Sequence, residues 1–109
     1  MREKILAEAL PNVPFDGWSD KTLREAAERA GASEADLKAA FPRGAMDAIV
    51  AFSDDADRRA FDIIQDSDLK AMRVRERITF AVRTRIEVVA EHKEAARKAA
   101  AILALPQNA

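Results

Sequence analysis

The stretch that decides the fold is TLREAAERAGASEADLKAAFP, Thr22 to Pro42. Leu23, Ala26, Ala27 and Ala30 recur at helical spacing, and Ser19 stands just ahead as an N-cap. Gly31 suits the left-handed position that closes such a helix. Ser33 caps a second helix, with Asp36 favourably placed in its first turn. Leu37, Ala40 and Phe41 form the inward side of that second helix. Pro42 and Gly44 break the chain again. The stretch therefore predicts two short helices joined at Gly31, the outline of a helix-turn-helix.

Working outward, almost everything else also reads as helix. No run of alternating β-branched residues suggests a strand. A first helix is expected over 2–10, with Ile5, Leu6, Ala9 and Leu10 inward, stopped by Pro11 and Pro14. VPFDGWS, 13–19, is expected as a loop whose Phe15 and Trp18 plug the core. A fourth helix is expected over about 45–65, carrying Met46, Ile49, Val50, Phe61 and Ile64. Ser67 or Asp68 is expected to cap a long fifth helix, about 69–91. One apolar row on it is Ile78, Val82, Ile86 and Val89; a second is Val74, Ala81 and Val88. A last helix is expected over about 93–105. The fold class is all-α with about six helices. The 109 residues are expected to form one domain, with a helix-turn-helix-like part over 1–44 and longer helices over 45–109.

Charge narrows the function. Charged residues make up 34% of the chain, yet the net charge is only −1. A chain holding nucleic acid by charge alone would be clearly basic. There is no cysteine, which excludes disulfides and thiolate metal sites. The N-terminus lacks the sustained apolar core of a signal peptide, and the longest apolar run, Ala99 to Leu105, is far short of a membrane span. The expected location is cytoplasmic, or at most on a membrane surface. Residues 44–68 hold seven acids and two bases, and residues 69–98 hold nine bases and four acids. That asymmetry is expected to reflect neighbouring helices that attract each other or carry solvated faces; the alternative is a basic surface for nucleic acid or anionic lipid. Arg73, Arg75, Arg77, Arg83 and Arg85 scatter around a helix, and Glu76 and Glu87 lie within pairing distance along it.

An enzyme finds little to work with. His92 is the single histidine, placed near a helix end where it suits the helix dipole. No second histidine is available for a metal set, and no glycine-rich phosphate loop exists. Asp54, Asp55 and Asp57 lie on an acidic helix face rather than in a pocket. No cofactor is expected.

A DNA reader needs donors on its second helix. The outward residues here are Glu34, Ala35, Asp36, Lys38 and Ala39. Residues 19–43 carry five acids and five bases, so phosphate contacts would be poor. GASEADLKAAFPRGAMDAIVAF does resemble the DNA-binding end of TetR-type regulators. Gly31, Ser33, Leu37 and Phe41 match that scaffold. Where those regulators commonly carry Tyr, His and Lys, this chain has Lys38, Ala40 and Gly44. Under a DNA-binding reading the contact residues would be Ser33, Lys38 and Arg43. No nucleic-acid partner is expected.

A closer resemblance covers essentially the whole chain. ALPNVPFDGWSDKTLREAA, AAFPRGAMDAIVAF, RVRERITFAVRTRIEVV and AAAILALPQNA together resemble the Coq-nine family, bacterial type. The most specific parts are VPFDGWS, AVRTRIE and ALPQNA. The resemblance implies a TetR-like all-helical fold, dimerisation and no transcriptional role. It implies an accessory function in ubiquinone biosynthesis, with isoprenoid or other lipid held in an apolar pocket. It also implies presentation of a quinone intermediate to the demethoxyubiquinone hydroxylase, with a late amphipathic helix touching the membrane. Family chains continue past the LPQN position, so the sequence is expected to be an N-terminal part of the family unit that lacks its C-terminal helices. Ile78, Val82, Ile86, Ile102 and Leu103 are the expected lipid-contacting residues. The last helix, apolar on every face from Ala99 to Leu105, predicts self-association.

Overall fold

The computed structural model describes residues 1–108, and their regular structure is helical throughout. Seven α-helices follow one another: α1 (Arg2–Ala9), α2 (Val13–Asp16), α3 (Asp20–Arg29), α4 (Glu34–Ala40), α5 (Ala45–Gln65), α6 (Val74–Glu87) and α7 (Lys93–Leu103). Short 3-10 turns occupy Leu10–Asn12, Leu69–Ala71, Ala90–His92 and Pro106–Asn108. The molecule is elongated, 50 × 29 × 22 Å.

The α3–α4 junction forms as its residues dictate. The Ser19 hydroxyl accepts the Thr22 backbone N–H at 3.1 Å, capping α3. At the other end the Ala32 N–H reaches the Ala27 carbonyl and the Gly31 N–H reaches the Glu28 carbonyl. Those two bonds make a Schellman closure, and Gly31 takes the left-handed φ of +75° that it needs. Ser33 and Asp36 then make a reciprocal capping box at the start of α4, both bonds 3.0 Å.

The Ser33 N–H, and after it the Ser33 hydroxyl, hold the Asp36 carboxyl below its ordinary value of 3.8. A lowered carboxyl adds stability above the unfolded value, and that stability is lost as pH falls through the folded one. Asp36→Asn should therefore melt below wild type at pH 7. The gap should close on acidification through and below pH 3.8, as read from melting curves across pH.

Two apolar clusters share α5 as their spine. The first joins Ile5 and Ala9 of α1, Leu23, Ala26 and Ala27 of α3, Phe41, and Ala48 and Ala51 of α5. The second joins Leu10, Val13, Ile49, Phe52, Ala56, Val89, Ala95 and Ala99. Alanines let these helices approach closely, and the larger side chains fill the seams. Trp18 bridges to the far end of the sequence. Its indole Nε1 donates to the Ala95 carbonyl at 3.0 Å, and its ring meets Phe52 at 5.5 Å.

Two expectations fail here for identifiable reasons. Pro11 and Pro14 end α1 as expected, but the chain coils again beyond it. Each sits in the first turn of a new short helix, where a fixed φ and a missing N–H cost nothing. Part of the expected loop is thus α2, which turns Phe15 outward to 86% exposure while Val13 is buried instead.

The expected long fifth helix is broken at both ends. Met72 and Arg73 are extended, and the Arg77 Nε satisfies the Leu69 and Met72 carbonyls at 2.8 and 3.1 Å. The Glu76 carboxylate accepts the Arg73 N–H at 3.4 Å, so α6 starts there rather than at Ser67 or Asp68. At the other end Val89 leaves the helix to enter the second cluster.

Phe61 is among the apolar residues that α5 carries. It lies 61% exposed on α5, beyond the last buried residue of that helix, Ala60.

Candidate functional site

The rotation of α6 sets the site. Thr84 is buried against the rest of the fold, and Phe80, Ala81, Arg85 and Val88 are half-buried. Arg85 lies on this inward side and bonds to α5. Its guanidinium meets Asp57 of α5 at 2.6 Å and reaches the Ser53 carbonyl at 3.5 Å. This is the expected attraction between an acidic and a basic helix. The expected pairing of Glu76 and Glu87 with arginines along α6 does not occur among the described residues.

With that side inward, the opposite side of α6 faces solvent. Val74, Ile78, Val82 and Ile86 follow at intervals of four and are 70%, 61%, 56% and 59% exposed. Ile78, Thr79, Val82, Arg83, Ile86 and Glu87 outline an open, shallow depression. Ile78, Val82 and Ile86 are thus brought together, on a surface rather than inside a core. Ile102 and Leu103 are not with them. Both are half-buried and pack onto the second cluster, beside Val89, Ala95 and Ala99. Val89, read in the same row as Ile78, is buried.

A second hollow opens between α1 and α5. Leu6, Leu10 and Ala51 form its floor, and Arg2, Asp54 and Arg58 stand at its edge. Arg58 is already paired with Asp55. No group of three potential metal ligands occurs among the described residues. His92 is half-buried in the turn before α7.

The three DNA-contact candidates are placed as follows. The Ser33 hydroxyl is committed to the Asp36 N–H. The Arg43 guanidinium is neutralised by Asp47 at 2.8 Å. The Arg43 backbone N–H also bonds that carboxylate, and this bond is the main reason the Asp47 carboxyl lies below its ordinary value. Lys38 alone is exposed with no ion-pair partner among the described residues, between the outward Glu34, Asp36 and Ala39. A gel shift with non-specific duplex at low salt is expected to show no retarded band. A retarded band that salt abolishes would restore the DNA-binding reading.

No helix in the described residues is long and apolar enough to cross a membrane. No family model matches the chain, and no solved structure does. Over its whole length the chain is similar to the ubiquinone biosynthesis protein COQ9, mitochondrial, of Drosophila melanogaster, with 31% identity over 113 aligned residues. The chain spans 34% of the length of that relative.

Proposed function

We propose that the chain serves ubiquinone biosynthesis as a non-enzymatic accessory that holds an isoprenoid or other lipid. The likeness to a ubiquinone biosynthesis protein along the whole chain supports the pathway. The observation that carries the ligand class is the exposed row Ile78, Val82 and Ile86. Branched aliphatics in a row suit an isoprenoid tail, which needs contact area and no directional bonds. Leaving such a row in water is unfavourable by the ordinary transfer cost of apolar surface, so an apolar occupant is stabilising. In this role the bound quinone intermediate would be presented to the demethoxyubiquinone hydroxylase. The α3–α4 pair then acts as scaffold: its buried residues hold α1 and α5, and its outward residues are unsuited to phosphate.

Deleting the gene should lower cellular ubiquinone and raise its demethoxy precursor, read by mass spectrometry of extracted quinones. Re-expression should reverse both changes, and re-expression of Val82→Glu should not. Unchanged quinone levels in the deletion strain would remove the reading.

A further inference from the structure

The depression on α6 is not apolar throughout, and its polar members say which head of an amphiphile it takes. Its apolar side is Ile78, Val82 and Ile86, and along the other stand Thr79, Arg83 and Glu87. Those three recur every four residues, so they form a second row beside the apolar one. Arg83 and Glu87 are exposed, and neither makes an ion pair among the described residues. Arg83 lies three residues before Ile86 and four before Glu87, so it neighbours both on the helix surface. A guanidinium, a carboxylate and the end of the apolar row thus share the C-terminal end of α6. We infer that this end takes a phenolic head: a hydroquinone ring in preference to the oxidised quinone ring. The inference rests on the lipid-holding role proposed for the same row and adds the form of the head.

Donors and acceptors decide between the candidate heads. An arginine guanidinium only donates, and an ionised glutamate only accepts. A phenolic hydroxyl matches both, its oxygen accepting from Arg83 and its hydrogen going to Glu87. Each of these bonds has a charged partner, which makes it one of the stronger kind. A quinone ring carries carbonyl oxygens that only accept. It satisfies Arg83 and sets oxygen against the Glu87 carboxylate, which loses water there and gains no donor. A phosphate or carboxylate head is repelled by Glu87, and an ammonium head is repelled by Arg83. With the ring at Ile86, the tail runs back over Val82 and Ile78 toward Val74, about 18 Å along the helix.

Equilibrium dialysis under anaerobic conditions compares three forms of one short-chain ubiquinone analogue: the quinone, the hydroquinone and the hydroquinone dimethyl ether. The chain has no cysteine, so the reductant that maintains the hydroquinone has no thiol or disulfide to alter. Wild type should bind the hydroquinone roughly fivefold more tightly than the quinone, the scale of one exposed charge-assisted hydrogen bond. The dimethyl ether keeps ring, tail and oxygens but cannot donate, and it should bind no better than the quinone. Glu87→Gln supplies an amide that donates to a carbonyl as well as accepting, and should bring quinone and hydroquinone within about twofold of each other. Arg83→Met should weaken both forms by a similar factor, roughly fivefold, and leave their ratio unchanged. Both side chains are exposed, so neither substitution disturbs the core. Equal binding of quinone and hydroquinone by wild type would overturn the inference and leave the lipid-holding role standing. So would a preference that survives Glu87→Gln, or a dimethyl ether that binds like the hydroquinone. A wild type that binds none of the three forms would remove the lipid-holding role, and this inference with it.

Discussion

Phe52→Ala is expected to destabilise the fold by about 3–5 kcal/mol, which is a large part of the ~5–15 kcal/mol available to a domain of this size. Phe52 is 5% exposed on α5 and sits in the second cluster with Leu10, Val13, Val89, Ala95 and Ala99. Its ring also supports Trp18 at 5.5 Å, and Trp18 in turn is bonded to the Ala95 carbonyl at 3.0 Å. Removing it opens a cavity where α5, α7 and the turn after α1 meet, and much of that space is bounded by alanine, which cannot collapse inward. Thermal unfolding should fall by roughly 15–20 °C. Phe61→Ala is the control. Phe61 is on the same helix but 61% exposed, so its loss should stay within about 0.5 kcal/mol. Equal effects at the two positions would contradict the placement of the core.

Gly44→Ala is expected to be the next most damaging change, at about 2–3 kcal/mol. Gly44 has φ +72°, which alone penalises any side chain. An added Cβ would also come within 2.4 Å of the Asp20 Oδ1. That oxygen accepts the Ala45 N–H at 3.1 Å, so Asp20 of α3 caps the start of α5. Moving the carboxylate aside loses the bond that ties these two helices. Gly31→Ala separates the two contributions. Gly31 has φ +75° but nothing within 4 Å of its added Cβ, so only the backbone penalty of about 1–2 kcal/mol applies. Chemical denaturation of both variants should give the larger loss at Gly44.

Where local chemistry decides, the sequence is transparent. Ser19, Gly31, and Ser33 with Asp36 mark helix ends through bonds spanning three to five residues, and the structure places those ends where the residues do. The span of α5 is equally plain, bounded by Gly44 and by the run of polar residues after Gln65. What escapes is set over long separations. The rotation of α6 rests on contacts distant in sequence: the burial of Thr84, the packing of Phe80, Ala81 and Val88, and the pairing of Arg85 with Asp57, 28 residues away. That rotation turns Ile78, Val82 and Ile86 outward, although their spacing alone reads as core. The charge asymmetry between 44–68 and 69–98 was the available signal, and it identifies neighbours without fixing which arginine is used. Trp18 is anchored 77 residues away, and Phe15 is turned out because Pro14 starts a new helix. Breaks in the expected fifth helix come from Arg77 reaching back to two carbonyls and from Val89 being drawn into a core, neither of which apolar periodicity registers.

The central claim is that the outward row on α6 receives an apolar ligand. It is tested most directly by titrating dilute protein with a short-chain ubiquinone analogue and reading the bound complex by native mass spectrometry. Wild type should form a one-to-one complex. Val82→Glu should reduce its occupancy at least tenfold with unchanged helix content, whereas Leu6→Ser, in the other hollow between α1 and α5, should leave it within about twofold. A wild type that binds no analogue, or a Val82→Glu variant that binds it as well as wild type, would contradict the account.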